Sequence, residues 1–375
     1  MERITMKSNI LRKTLVFATL IITAVSVGHA QTADTPDAAM NRLRLNPDLA
    51  RPVVLTSFGG TASLLVAPVD DDVAVFVPNP ADPRMIATVD DFGTFTLFTG
   101  SEGQGLPAPF TPFAPADRAS NDKLVVNAHW SEDGETLALV LDNPDRKSAE
   151  DVIYWWEIGV TGANHIMHSC RAGAQNCNFF VSADGEPANW YATSAAWSPD
   201  GEWLLGRVFM ESVGREGFIL LNRGSDRTRR DPVCAFEFSA WSRDGQSVVV
   251  SGRDADGFPT LGTITPDCRR FTASDVHDLG WETHSGVMRE DGTLVALARS
   301  NRSSGPYRMV DGYGTDLTED IGVTAPVQVV WNDAADSAFV RTEDGRAYVA
   351  LITGAVSEVT QAAGAAQMVA WLDVP

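Results

Sequence analysis

The chain is predicted to be all-β and to fold as a β-propeller, and three observations carry that expectation. Trp197-Ser198-Pro199-Asp200-Gly201 returns in altered form as Trp130-Ser131-Glu132-Asp133-Gly134 and Trp241-Ser242-Arg243-Asp244-Gly245. Weaker copies are Met288-Arg289-Glu290-Asp291-Gly292 and Trp331-Asn332-Asp333, and a last Trp371 stands near the end. From Trp197 onward these anchors fall 44, 47, 43 and 40 residues apart, and a period of about 40–45 residues is that of one four-stranded blade. Each anchor is also flanked by strand-length apolar runs, such as 136–141, 203–208 and 247–250.

The anchor has a physical reading. Asp-Gly closes a tight turn, because the Asp carboxylate can take backbone N–H groups and Gly accepts a positive φ. The runs after it are apolar on both faces, as suits strands sandwiched between neighbouring sheets. The Trp, or Met288, is expected to fill the gap between adjacent blades.

Gln367-Met368-Val369-Ala370-Trp371 reads as one more inner strand. A lone strand makes no sheet, so its partners are expected among 62–67, 72–77 and 85–88, closing the ring through a composite blade. Anchors at 130, 197, 241, 288, 331 and 371 give six blades as the expected number. Seven is the alternative, if 93–98 belongs to a further blade. Residues 101–122 are rich in Pro, Gly and Ala and read as a loop. The long first interval, 67 residues from Trp130 to Trp197, holds an insertion near 161–190, and insertions in repeat proteins gather on one face, often the binding face.

Residues 1–30 read as a secretory signal peptide. Arg3, Lys7, Arg12 and Lys13 form a positive start, Leu15 to Val27 an apolar core, and Gly28-His29-Ala30 a cleavage site. Residues 31–50 are expected to be a flexible lead with a short helix around Ala38 to Leu45, and 51–375 a single propeller domain. Removing the leader takes four basic residues and one acidic from the 29 and 49 of the whole chain, leaving 25 and 48. So acidic a surface repels nucleic acid and anionic membranes. The expectation is a secreted or periplasmic monomer, with no nucleic-acid partner and no membrane insertion once the leader is cut.

Four cysteines in an exported chain suggest two disulfides. The favoured pairing is Cys170–Cys177, closing a small loop, with Cys234–Cys268 tying the edges of one blade.

The repeated Trp-Ser-Pro-Asp-Gly anchor with its following apolar strand resembles the TolB-type propeller repeat, over roughly residues 120 to 375. It is also similar to the propellers of prolyl oligopeptidase-like and dipeptidyl-peptidase-like hydrolases. The TolB resemblance implies a periplasmic six-bladed protein that binds other envelope proteins. Only about twenty residues separate the leader from the first strand, so the α/β domain that precedes TolB propellers is not expected. The peptidase resemblance implies a serine-hydrolase domain. These residues contain no Gly-x-Ser-x-Gly elbow, so no fused hydrolase is expected.

The leading functional expectation is an exported, non-enzymatic scaffold for a protein or peptide, with His165, His168, Arg171, Trp190 and Tyr191 of the insertion as contacts. Glu237 and His284 share a slot four residues before their anchors, with Val126, Thr193, Val327 and Gln367, which should ring the channel mouth. A Glu and a His on neighbouring blades could hold a metal or act as base and acid. The alternatives are thus a channel-sited, metal-dependent hydrolase or lactonase, and a carbohydrate binder using Trp155 or Trp156. No cofactor is expected; calcium is conceivable at Asp70-Asp71-Asp72 or Asp254-Ala255-Asp256-Gly257. Asn301-Arg302-Ser303 fits a glycosylation sequon.

Overall fold

The computed structural model describes residues 35–374, apart from 59–60, 92–94, 99–123, 143–151, 158–163, 169–189, 211–213, 223–232, 235, 255–256, 301–304, 319–322 and 365–367. The expected leader, the expected Cys170–Cys177 pair, Arg171, Gln367, Asn301 and most of the insertion lie outside the described residues.

Strands gather into seven antiparallel sheets of three or four. The first holds β1 (Ala50–Phe58) and β2 (Thr61–Pro68). The second is β3 (Val73–Pro78), β4 (Ile86–Asp90) and β5 (Phe95–Phe98). The third is β6 (Leu124–Trp130), β7 (Thr136–Asp142), β8 (Val152–Glu157) and β9 (Asn164–His168). The fourth is β10 (Trp190–Trp197), β11 (Trp203–Met210), β12 (Arg215–Asn222) and β13 (Val233–Cys234). The fifth is β14 (Phe236–Trp241), β15 (Val248–Asp254), β16 (Pro259–Ile264) and β17 (Phe271–Ala273). The sixth is β18 (Glu282–Met288), β19 (Leu294–Arg299) and β20 (Arg308–Asp311). The seventh is β21 (Pro326–Trp331), β22 (Ser337–Thr342), β23 (Ala347–Leu351) and β24 (Val356–Glu358). The last strand, β25 (Ala370–Val374), joins the first sheet beside β2, with Trp371 opposite Leu65.

The β-propeller expectation holds, and the expected pairing of the last strand with the N-terminal region is present. The described strands form seven sheets, as in the alternative that places 93–98 in a further unit: β5 lies in the second sheet, and the stretches 62–67, 72–77 and 85–88 divide between two sheets instead of sharing one. The second sheet lacks the Trp and the Asp-Gly, so it left no anchor to count. There Asn79 organises the turn after β3, its Oδ1 accepting the N–H of Ala81 (2.9 Å) and of Asp82 (3.0 Å). Within the described part of the 31–50 lead, a short helix overlaps the one expected around Ala38 to Leu45. Helix α1 (Pro36–Leu43) is capped by Thr35 and buries Ala39, Met40 and Leu43 against Leu64, Phe76 and Leu372.

The core lies between sheets, in successive layers. One cluster joins Val75, Val89 and Leu97 of the second sheet to Val125, Trp130 and Leu139 of the third. Others join the fourth to the fifth, the fifth to the sixth, the sixth to the seventh, and the seventh to the first. Three anchor indoles cross these gaps, each donating to a backbone carbonyl on the inner strand of the preceding sheet. Trp130 Nε1 reaches the Val77 carbonyl at 2.9 Å, Trp241 the Ala196 carbonyl at 3.3 Å, and Trp371 the Val330 carbonyl at 2.9 Å.

The rest of the anchor is a compact hydrogen-bonded turn. Ser242 Oγ donates to Asp244 Oδ1 at 2.6 Å and accepts the Ser247 N–H at 2.9 Å, while Asp244 Oδ1 also accepts from Gln246 N. The Ser131 and Ser198 turns repeat this pattern. Gly134, Gly201 and Gly245 all take φ +68°, the left-handed value that excludes most side chains.

Between the third and fourth sheets, His129 Nδ1 accepts the Trp197 backbone N–H at 3.3 Å. Desolvation pushes its pKa from 6.5 down to about 4, against a smaller opposing effect of the Trp130 backbone. Between those values the unfolded chain binds a proton that the folded chain refuses. Stability is therefore full above pH 6.5 and falls as pH drops through this window, by up to about 3 kcal/mol near pH 4. Urea midpoints at neutral pH and near pH 4.5 measure the loss, and His129→Gln should remove much of it. Identical pH dependence in both proteins would refute the assignment.

Candidate functional site

Every inner strand from β3 to β21 carries a β-bulge at one recurring position. The bulged residues are Ala74, Val126, Thr193, Glu237, His284 and Val327, each skipped in the register with the neighbouring strand. The last five are the slot that anchor alignment singles out. Ala74 shows that Pro78 is the unmarked anchor of the second sheet. Bulges re-aim side chains and collect at barrel rims and functional sites. Here they sit near the starts of the inner strands, at the end of the molecule opposite the Asp-Gly turns.

The slot is chemically lopsided. Val327 is 56% exposed and Val126 38%, which is high for aliphatic residues inside strands. Thr193, Glu237 and His284 supply the polar sector on three consecutive sheets.

Glu237 is half-buried, its carboxylate lying against Gly252, where any Cβ would collide with it. Gly252 takes φ +96° and donates its N–H to Thr283 Oγ1 at 3.0 Å, tying the fifth sheet to the residue before His284. Burial raises the Glu237 pKa, with Glu216 adding to the rise and the Arg253 backbone and the Arg207 and Arg253 guanidinium groups opposing it. His284 stands edge-on to Tyr307, centroids 6.4 Å apart. Burial lowers its pKa, opposed by the Pro326 backbone, and its buried Nδ1 has no hydrogen-bond partner among the described residues.

Around this pair runs a network that the sequence reading missed. Arg207 donates to the Phe238 carbonyl at 2.6 Å and pairs with Glu216 at 3.2 Å. Arg299 grips Glu282 through Nε at 2.8 Å and Nη2 at 2.7 Å, and lies 4.7 Å over the Tyr307 ring. Arg253 donates to the Gly257 carbonyl at 2.8 Å, with Glu282 3.8 Å away. The missed signal was available: an arginine recurs ten to twelve residues after four consecutive anchors, at 207, 253, 299 and 341. Arg341 serves the loop before β25, donating to the Gly364 carbonyl at 3.2 Å.

The other expected contacts fall elsewhere. His165 and His168 lie on β9, opposite Tyr154 and Val152, so that part of the insertion is a fourth strand and not a projecting loop. Trp190 and Tyr191 open β10, opposite Met210 and Phe209. Trp155 and Trp156 on β8 face Ala138 and Leu137 in register. The side chains of these six residues lie outside the described set. Cys234–Cys268 is bonded, with Cα atoms 5.6 Å apart. It joins β13 of the fourth sheet to the β16–β17 turn of the fifth, a correction to the single-blade tie.

The acidic segments serve turns. Asp70 accepts the Asp72 N–H at 3.0 Å, Asp71 pairs with Arg51 at 3.2 Å, and Asp254 accepts the Phe258 N–H at 2.9 Å. No three His, Cys, Asp or Glu side chains among the described residues are placed to hold a metal ion. Glu237 and His284 stand on neighbouring sheets as expected, and no third ligand joins them among the described residues. At the opposite end, Asp333 is pushed up by desolvation and by the Asp373 and Glu132 carboxylates; because the residue is exposed to solvent, the crowding of the carboxylates is the firmer of these causes.

No protein-family model matches this chain, and no curated protein does. Among solved structures, one from a study of two prolyl endopeptidases and their inter-domain dynamics is similar at 10% identity and TM-score 0.51, covering 87% of this chain and 52% of that one. A putative TolB from Agrobacterium tumefaciens is similar at 14% identity and TM-score 0.41, covering 63% of this chain and 80% of that one. Prolyl oligopeptidase B from Galerina marginata gives 10% identity, TM-score 0.49, and 86% and 52% coverage. The chain spans about half the length of the prolyl endopeptidase, and at this identity the likeness establishes the propeller fold alone.

Proposed function

We propose that the chain is an exported propeller scaffold that binds a protein or peptide at the mouth formed by the bulged slot. The observation that carries this reading is the pairing of exposed Val126 and Val327 with the polar Thr193–Glu237–His284 sector on one rim. A monomer with valines exposed at a strand bulge gains from covering them, and a rigid ring of strand ends holds such contacts in fixed register. Export is supported by the leader-like residues 1–30 and by the Cys234–Cys268 bond, which forms in oxidising compartments.

A photo-crosslinking side chain placed at 327 or at 126, in cells making the full chain, tests the site. Discrete adducts with an envelope or extracellular protein are expected from these positions and not from Glu290, on the opposite face. Equal labelling from both faces, or none from the rim, would remove the proposal.

A further inference from the structure

We infer that the mouth recognises a basic side chain, an alkyl ammonium or alkyl guanidinium group, with Glu237 as its counter-ion and Val327 beside its aliphatic stem. The inference rests on the scaffold reading and gives it a chemistry.

Charge assignment in the polar sector comes first. Each arginine there already has acceptors of this chain: Arg207 has Glu216 and the Phe238 carbonyl, Arg299 has Glu282 and the Thr324 carbonyl, and Arg253 has Glu282 and the Gly257 carbonyl. An arriving anion would have to displace a carboxylate or a carbonyl. Glu237 is placed differently. Gly252 and the Arg253 backbone hold its carboxylate at the rim; burial first and the Glu216 carboxylate next make its ionised form costly, and the Arg207 and Arg253 guanidinium groups offset this only in part. A cation arriving there restores what burial removed.

The surroundings select the rest of the ligand. His284, on the next sheet, is held neutral by burial and does not repel a cation. Val327 follows it around the rim, 56% exposed, and offers an apolar surface to methylenes that lysine and arginine stems cover well. The chain as a whole carries a formal charge of −20, which draws cations toward it and slows their escape.

The probes are n-butylguanidinium and n-butylammonium, with pentanamide as the neutral control and valerate as the anionic one, read by saturation-transfer NMR on the full chain. The two cations should bind, and Glu237→Gln should weaken them at least tenfold while leaving the melting temperature unchanged or raised. Val327→Lys, at an exposed position, supplies a tethered ammonium and should block the same probes. Undiminished binding to Glu237→Gln, or preference for valerate or pentanamide, would overturn the inference. Loss of probe binding together with intact crosslinking from 327 would overturn this chemistry and leave the scaffold standing. Probe binding without any crosslinked partner would support the cation site and count against the scaffold.

Discussion

Replacing Trp130 by alanine is expected to lower the free energy of unfolding by about 3–5 kcal/mol, the range for emptying a buried aromatic site. The indole is 3% exposed and packs among Val75, Val89, Leu97 and Leu139 across two sheets. Nothing covalent supports that boundary among the described residues, and the side chains around a cavity relax only partly. Trp130→Phe separates the contributions. It keeps an aromatic ring in the gap and gives up the bond to the Val77 carbonyl, so a loss of about 1–2 kcal/mol is expected. Trp331 makes the same kind of bridge, to Ser285 Oγ at 3.1 Å, but is only partly buried, and its truncation should cost less. Urea unfolding of the three alanine and phenylalanine variants gives the order directly. A Trp130→Ala loss below about 1 kcal/mol would show that the indole does not cement the two sheets.

These effects are legible from the repeat because the anchor is a local device. Ser-x-Asp-Gly writes a turn within five residues, and Trp at its head marks the strand that needs a neighbour. Where the device is absent, so was the signal. In the second sheet Pro78-Asn79 performs the turn with neither Trp nor Gly, and the count from anchors came out one short. The candidate mouth was half legible. Aligning anchors placed Glu237 and His284 in one slot, but the bulge that sets them there has no composition of its own, being occupied by Ala, Val, Thr, Glu and His in turn. It arises from the register between whole strands, which no local window contains. The arginine network was encoded more openly, as four arginines in the later half of apolar strands, ten to twelve residues after their anchors. An apolar strand that repeatedly carries a guanidinium in its later half is placing charge toward one end, and that pattern is visible before any coordinates are.

Removing the Cys234–Cys268 bond should cost about 3–4 kcal/mol, by the loop-closure entropy of a 34-residue separation. Because the bond joins two sheets, its effect should reach beyond one blade. Cys234 is 2% exposed, inside the cluster that also holds Phe218, Trp241 and Val250, so its own strand β13 is held against the fifth sheet by packing as well as by sulfur. The double variant Cys234→Ser, Cys268→Ser tests the total, and parent protein unfolded with and without reductant tests the covalent part alone. A reductant effect close to the double-variant loss would assign the stabilisation to the bond; a much larger loss in the variant would assign the excess to seating a serine hydroxyl in an apolar site. The same pair of measurements bears on export. A chain made without residues 1–30 in a reducing compartment should arrive unbonded and show the reduced stability, and one carried outside should not. If both preparations unfold at the same denaturant concentration, neither the bond's contribution nor the oxidising destination survives.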